Sequence, residues 1–125
     1  MTGSILIVDD DRGTVLVLSR LLKNAGFPVI TAQEATQAVM QAHREHPALI
    51  ITDLVMPSGG GLSVLERLGM SSHTNSIPIL VLTASEDPNV ESQAVNFGAV
   101  QVLRKPCDPL VLLDAVRAVL GGQRP

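Results

Sequence analysis

The stretch Ile5-Leu6-Ile7-Val8-Asp9-Asp10-Asp11 sets the architecture of this chain. Four apolar residues, three of them β-branched, run straight into three carboxylates. So short an apolar run reads as a strand buried on both faces, with the acidic residues marking its exit from the sheet. Similar runs recur at Val29–Thr31, Leu49–Thr52, Ile79–Thr83 and Val100–Leu103. Strands apolar on both faces are expected where helices cover both sides of a parallel sheet.

The intervening segments carry helical spacing. Val15, Leu18, Leu21 and Leu22 share one face and lead to Gly26, a stop signal. Ala35, Ala38, Val39 and Ala42 form a small-residue face before Pro47, and Leu62, Leu65 and Leu68 a third before Gly69. Val90, Ala94, Val95 and Phe97 lead into Gly98, while Leu112, Leu113, Val116, Val119 and Leu120 end at Gly121-Gly122. Asp87-Pro88 and Asp108-Pro109 each pair an N-cap with proline at the first helical position. Five strands alternating with five helices predict an α/β domain: a doubly wound, five-stranded parallel sheet with helices on both faces. The whole chain, 1–125, reads as a single domain with its core at about 4–121.

Composition narrows the function. Hydrophobic residues make up 46% and charged residues 17%, which favours a packed core over disorder. There are two Phe and no Tyr or Trp, so a base-stacking surface is excluded. The net charge of −3 and scattered basic residues, whose only adjacent pair is Arg104-Lys105, argue against direct nucleic-acid binding. Cys107 is the single cysteine, which rules out an internal disulfide. Purely apolar runs stop at four residues, far short of the ~18 a membrane span needs. Met1-Thr2-Gly3-Ser4 lacks the charged start and long apolar core of a signal peptide. A cytoplasmic location away from the membrane is the expectation.

In doubly wound sheets the working site lies at the carboxyl ends of the strands. There this chain has Asp9-Asp10-Asp11, Asp53, Thr83 followed by Ala84, and Lys105-Pro106. Clustered carboxylates repel one another and recruit a cation. A hard cation such as Mg²⁺ suits oxygen ligands and keeps waters that a phosphoryl oxygen can replace. Lys105 supplies a point charge and Thr83 a donor to a bound anion, and Asp53 is a candidate nucleophile for a phosphoryl group.

Together Ile5–Asp11, Asp53-Leu54-Val55-Met56-Pro57, Leu82-Thr83-Ala84 and Lys105-Pro106 resemble the receiver domain of two-component response regulators. The resemblance covers essentially the whole chain. It implies a flavodoxin-like sheet of order 2-1-3-4-5 and a phosphoacceptor that is not a turnover enzyme. Asp53 would accept the phosphoryl group from a sensor histidine kinase or a histidine phosphotransfer protein. Asp9, Asp10, Asp53 and the backbone carbonyl of Val55 would hold Mg²⁺. Thr83 and Lys105 would contact the phosphoryl oxygens, and the Lys105-Pro106 peptide would be cis. The surface of the fourth helix, fifth strand and fifth helix would signal to an output domain or effector. A homodimer through that surface is left open. No output domain follows Gly121-Gly122 within these 125 residues, so both a stand-alone receiver and a piece of a larger regulator are compatible.

Two alternatives share parts of the pattern. A haloacid-dehalogenase-like phosphatase would use Asp9-x-Asp11, Thr83 and Lys105, but it would leave Asp53 idle and lacks an acidic pair after Lys105. A receiver-shaped interaction module would not be phosphorylated, although every expected acceptor and metal residue is present. An acidic run before a helix is by itself often only a cap, and it is the joint register of Asp9, Asp53, Thr83 and Lys105 that argues otherwise. Gly59-Gly60-Gly61 lacks the spacing of a phosphate-cradling loop and reads as a turn. His43, His46 and His73 lack further ligands at metal spacing.

Two departures from receivers stand out. Gly60 occupies a place where Asp is common, and Val102 one where many receivers carry Tyr or Phe. Valine is stiff at χ1 and has no ring to turn inward. Switching is therefore expected to rest on Thr83, Ala84 and Ser85 and on the fourth helix, biased by the roughly two negative charges of a phosphoryl group. An apolar Val55 flanking the site, with Ser85, would orient attacking water poorly and prolong the phosphorylated state.

Overall fold

The structure, a computed structural model, describes residues 3–54 and 61–121. Val55, Met56-Pro57 and the Gly59-Gly60 pair lie outside the described residues. Five strands and five helices alternate: β1 (Ile5–Val8), α1 (Arg12–Asn24), β2 (Val29–Ala32), α2 (Ala35–Glu45), β3 (Leu49–Thr52), α3 (Gly61–Gly69), β4 (Ile79–Thr83), α4 (Pro88–Asn96), β5 (Ala99–Arg104) and α5 (Pro109–Gly121). All strand pairs are parallel, in the order β2-β1-β3-β4-β5. This is the flavodoxin-like order, whose reversal beside β1 leaves a crevice at the strand ends.

Apolar character on both faces holds for the three inner strands. Every residue of β1, β3 and β4 is buried, whereas the edge strands β2 and β5 are partly open. Two cores flank the sheet. One joins Leu6, Val8, Ile50 and Val81 to Ala38 and Ala42 of α2, Val64, Leu65 and Leu68 of α3, and Ala94 of α4. The other joins Ile5, Ile7, Ile51 and Leu80 to Leu18 and Leu22 of α1 and to Leu112, Ala115 and Val116 of α5. Alternate residues of one strand feed opposite cores, as the period of two requires.

The helix ends follow local chemistry. Asp11 caps α1, Asp87 caps α4 by accepting from the Asn89 amide at 2.9 Å, and Asp108 accepts from the Leu110 amide at 2.8 Å. Gly26 and Gly98 take φ of +98° and +105°, the left-handed turn that glycine permits without strain.

The fourth helix differs from the sequence expectation. Val90 and Ala94 pack on the core, but Val95 is 55% and Phe97 42% exposed. A nine-residue helix over the sheet edge buries one narrow strip, and Val95 sits about 100° round from Ala94. The last strand is also longer than Val100–Leu103, running from Ala99 to Arg104.

Thr74, in the polar segment after α3, is a structural element that periodicity misses. It is buried, and its hydroxyl donates to the Leu68 carbonyl at 2.7 Å, satisfying an acceptor at the end of α3. Thr74→Val keeps the shape and strands that carbonyl, so it should cost about 1–2 kcal/mol. Urea unfolding of the variant, compared at equal m-value, measures this loss.

Candidate functional site

Register brings the acidic residues together. Val8 pairs with Thr52 across β1 and β3, and the Asp53 amide continues that ladder by donating to the Val8 carbonyl at 3.1 Å. The Asp9 amide likewise donates to the Ala32 carbonyl at 3.1 Å, on the other side of β1. Asp9 and Asp53 thus leave adjacent strands at the same level. Their side chains are only 4% and 8% exposed.

Lys105 closes the site from β5. Its amide donates to the Thr83 carbonyl at 2.8 Å, tying the two chain segments together just beyond the last paired residues, Thr83 and Arg104. Its Nζ donates to Asp9 Oδ2 at 2.7 Å and to Asp53 Oδ2 at 3.0 Å. Partial burial pulls the ammonium toward losing its proton. The hydrogen bonds and charges of Asp9 and Asp53 outweigh that, so the Lys105 pKa is raised above the ordinary lysine value. The peptide bond that follows, Lys105-Pro106, is cis.

The three neighbouring aspartates do different work. Asp9 Oδ1 accepts from the Asp11 amide at 2.9 Å while Oδ2 faces Lys105. Asp11 accepts from the Thr14 hydroxyl at 2.7 Å and the Gly13 amide at 3.1 Å, and these bonds lower its pKa in that order. It is a cap, set apart from the Asp9–Asp53 pair. Asp10 is exposed and lines a surface groove with Gln33, Glu34 and Gln37. Of these carboxylates, Asp9 and Asp53 are the two that meet at Lys105. Among the described residues no three His, Cys, Asp or Glu side chains are grouped closely enough to cage a metal ion. Successive residues leaving a strand diverge, which is why Asp9 and Asp10 separate.

Two buried carboxylate oxygens within reach of one ammonium still fit Mg²⁺. That ion binds through one or two carboxylates and keeps several waters.

Thr83 is buried at the end of β4, and its Oγ1 accepts from the Ser85 amide at 3.2 Å. Ala84 is exposed and Ser85 half-buried. Val102 is half-buried and packs on the core that carries Val90 and Ala94 of α4. The expected Val55 carbonyl lies outside the described residues. Arg104, which residue pattern did not single out, donates to the Ser85 carbonyl and to Glu91 Oε2 on α4. Only its adjacency to Lys105 hinted at a role. Beside Lys105, a mostly apolar groove is lined by Val17, Leu21, Ala84, Pro106 and Cys107. Burial, then the charge of Asp108, pushes the Cys107 thiol up in pKa.

Residues 5–117 match the response regulator receiver domain family. Protein PilH of Pseudomonas aeruginosa is 31% identical over 118 residues, covering 94% of this chain and 98% of that protein. Other curated relatives are longer, the chain spanning 49%, 47% and 26% of their lengths. Among solved structures, Vibrio cholerae chemotaxis protein CheY4 superposes with a TM-score of 0.89 at 30% identity, covering 95% of this chain and 99% of that one. The receiver domain of sensor histidine kinase PA1611 from P. aeruginosa, with magnesium coordinated in its active-site cleft, shares the fold at a TM-score of 0.88 and 24% identity, covering 97% of this chain and 99% of that one. This chain belongs to the response regulator receiver domain family, a signalling module of two-component systems.

Proposed function

We propose that the domain accepts a phosphoryl group on Asp53 from the phosphorylated histidine of a sensor kinase or phosphotransfer protein. It then signals through α4, β5 and α5 to an output domain or effector. The observation that carries this reading is the Lys105 ammonium held between two buried carboxylates, 2.7 Å from Asp9 and 3.0 Å from Asp53. A preorganised positive charge beside a buried carboxylate is what an incoming phosphoryl anion requires.

In this reading a carboxylate oxygen of Asp53 attacks the donor phosphorus. The new O–P bond forms as the donor's N–P bond breaks, and the imidazole leaves with that electron pair and takes up a proton. Lys105, anchored by Asp9, turns its remaining donor capacity to the phosphoryl oxygens, and the Thr83 hydroxyl donates to them. Asp9 and Asp53, with Asp10 and the Val55 carbonyl, are the groups that would hold Mg²⁺, which neutralises phosphoryl charge when bound. The product is a modified protein, so the domain is a phosphoacceptor, read as cytoplasmic.

Incubation with acetyl phosphate and Mg²⁺ tests the reading. Intact-mass analysis should show a single phosphoryl adduct that disappears when the metal is chelated. Steady turnover of phosphate esters that depends on Asp9 would instead favour the phosphatase alternative. Absence of any adduct would favour the unphosphorylated interaction module.

The apolar groove beside Lys105 offers the protein donor a landing site, since Val17 is 63% exposed at its rim. Val17→Glu should slow transfer from a phosphorylated histidine protein about tenfold, the scale of a lost interface anchor. Labelling by acetyl phosphate needs no docking and should proceed at the parent rate. Equal slowing of both donors would place Val17 in the chemistry rather than in docking.

A further inference from the structure

Arg104 reaches from the end of β5 to two places at once. Its Nη1 donates to the Ser85 carbonyl, and its Nη2 donates to Glu91 Oε2 on α4 at 2.8 Å. The amide of the same Ser85 donates to Thr83 Oγ1 at 3.2 Å. Ser85 is therefore gripped from both sides, by Thr83 through its N–H and by Arg104 through its C=O. The Asp87 amide adds a bond to Ser85 Oγ at 3.3 Å, just before α4 begins. A continuous set of bonds runs from Thr83 through Ser85 and Arg104 to Glu91 in the first turn of α4.

This set has a mechanical consequence. Turning the Thr83 hydroxyl about χ1 moves Oγ1, so the Ser85 amide must follow it or lose its acceptor. Arg104 resists that movement by holding the Ser85 carbonyl, and it is itself braced by Glu91. No aromatic ring on β5 is available to share the task, because its half-buried residues are Val102 and Leu103. We infer that Arg104 is a positioning residue that holds the 84–87 loop and α4 in the arrangement adopted before phosphorylation, and so sets how readily Thr83 responds to a phosphoryl group. The inference rests on the proposed role of Asp53 and goes beyond it by assigning the brake to a residue outside the site. Both charged partners are partly exposed, 44% for Arg104 and 45% for Glu91. Charge-assisted bonds at such positions each shift an equilibrium by only about two- to fivefold.

Beryllofluoride, a phosphoryl mimic, tests this on the full chain with Mg²⁺, read by amide chemical shifts. Arg104→Met keeps the aliphatic stem and removes both bonds. It should bind beryllofluoride about four- to twenty-fivefold more tightly, the product of two such bonds. Before any ligand is added, its amides from Ser85 to Glu91 should lie partway toward the ligand-bound positions. Glu91→Gln, which removes the brace and leaves the Ser85 contact, should fall between parent and Arg104→Met, and Arg104→Lys should restore part of the parent behaviour. Thermal unfolding separates this from simple loosening, which would lower the melting temperature without tightening the ligand. Unchanged affinity together with unmoved 85–91 amides in Arg104→Met overturns the brake while leaving the acceptor reading intact. Failure of the parent itself to bind beryllofluoride overturns both.

Discussion

Asp53→Asn is expected to reduce labelling by acetyl phosphate to background while leaving the domain folded. The side chains have the same shape, but an amide oxygen is not a competent nucleophile and carries no charge to bind a metal ion. The same change removes one of the two buried carboxylates that share the Lys105 ammonium. The introduced amide would still offer an oxygen to Lys105, so the metal-free melting temperature should equal or exceed that of the parent. Intact mass and peptide mapping after incubation give the first result, and a thermal melt without Mg²⁺ gives the second. A phosphoryl group on the peptide containing residue 53 of the variant would show that the acceptor has been misassigned.

Lys105→Met should have the next largest effect, on both stability and chemistry. It leaves two buried carboxylates facing each other with their shared cation gone, a situation that costs about 3 kcal/mol. Phosphoryl transfer should fall about a hundredfold, the scale of losing one preorganised donor to developing charge. The pH dependence gives a second check. In the parent, the raised Lys105 pKa contributes stability that is fully present below the ordinary lysine value and lost as pH rises through the folded value. Parent stability should therefore decline in the alkaline range above about pH 10.5. Denaturant unfolding of the parent at about pH 7 and 10.5 measures this trend. A variant as stable as the parent at neutral pH would mean that the ammonium does not offset the carboxylate pair.

Much of this arrangement was legible in the residues. Ile5–Val8, Leu49–Thr52 and Ile79–Thr83 are too short and too uniformly apolar for anything but buried strands, and all three are fully buried. Their polar exits, Asp9, Asp53 and Thr83, lie at one edge because parallel strands share a direction. Caps such as Asp87 before Pro88 act within three residues, so local sequence sufficed for them. Side-chain periodicity was a poorer guide to α4, where burial of Val95 and Phe97 depends on how far the helix overhangs the sheet edge.

Adjacent residues show where local reading stops. Asp9, Asp10 and Asp11 are indistinguishable as sequence, yet one faces Lys105, one lines an outer groove and one caps a helix. Arg104 and Lys105 form the chain's only adjacent basic pair. One reaches α4 at Glu91, and the other crosses to Asp9 and Asp53. Alternation along a strand follows from backbone geometry alone and could be anticipated from the residues. The identity of the partner could not. Asp53 is 52 residues from Lys105 and Asp9 is 96, and only strand order and register bring those carboxylates within about 3 Å of one ammonium. Residue order alone therefore settled which chemical groups would stand at the end of the sheet. Which of them meet was left to the folded arrangement, because hydrogen-bond distances depend on strand register to a fraction of the strand spacing.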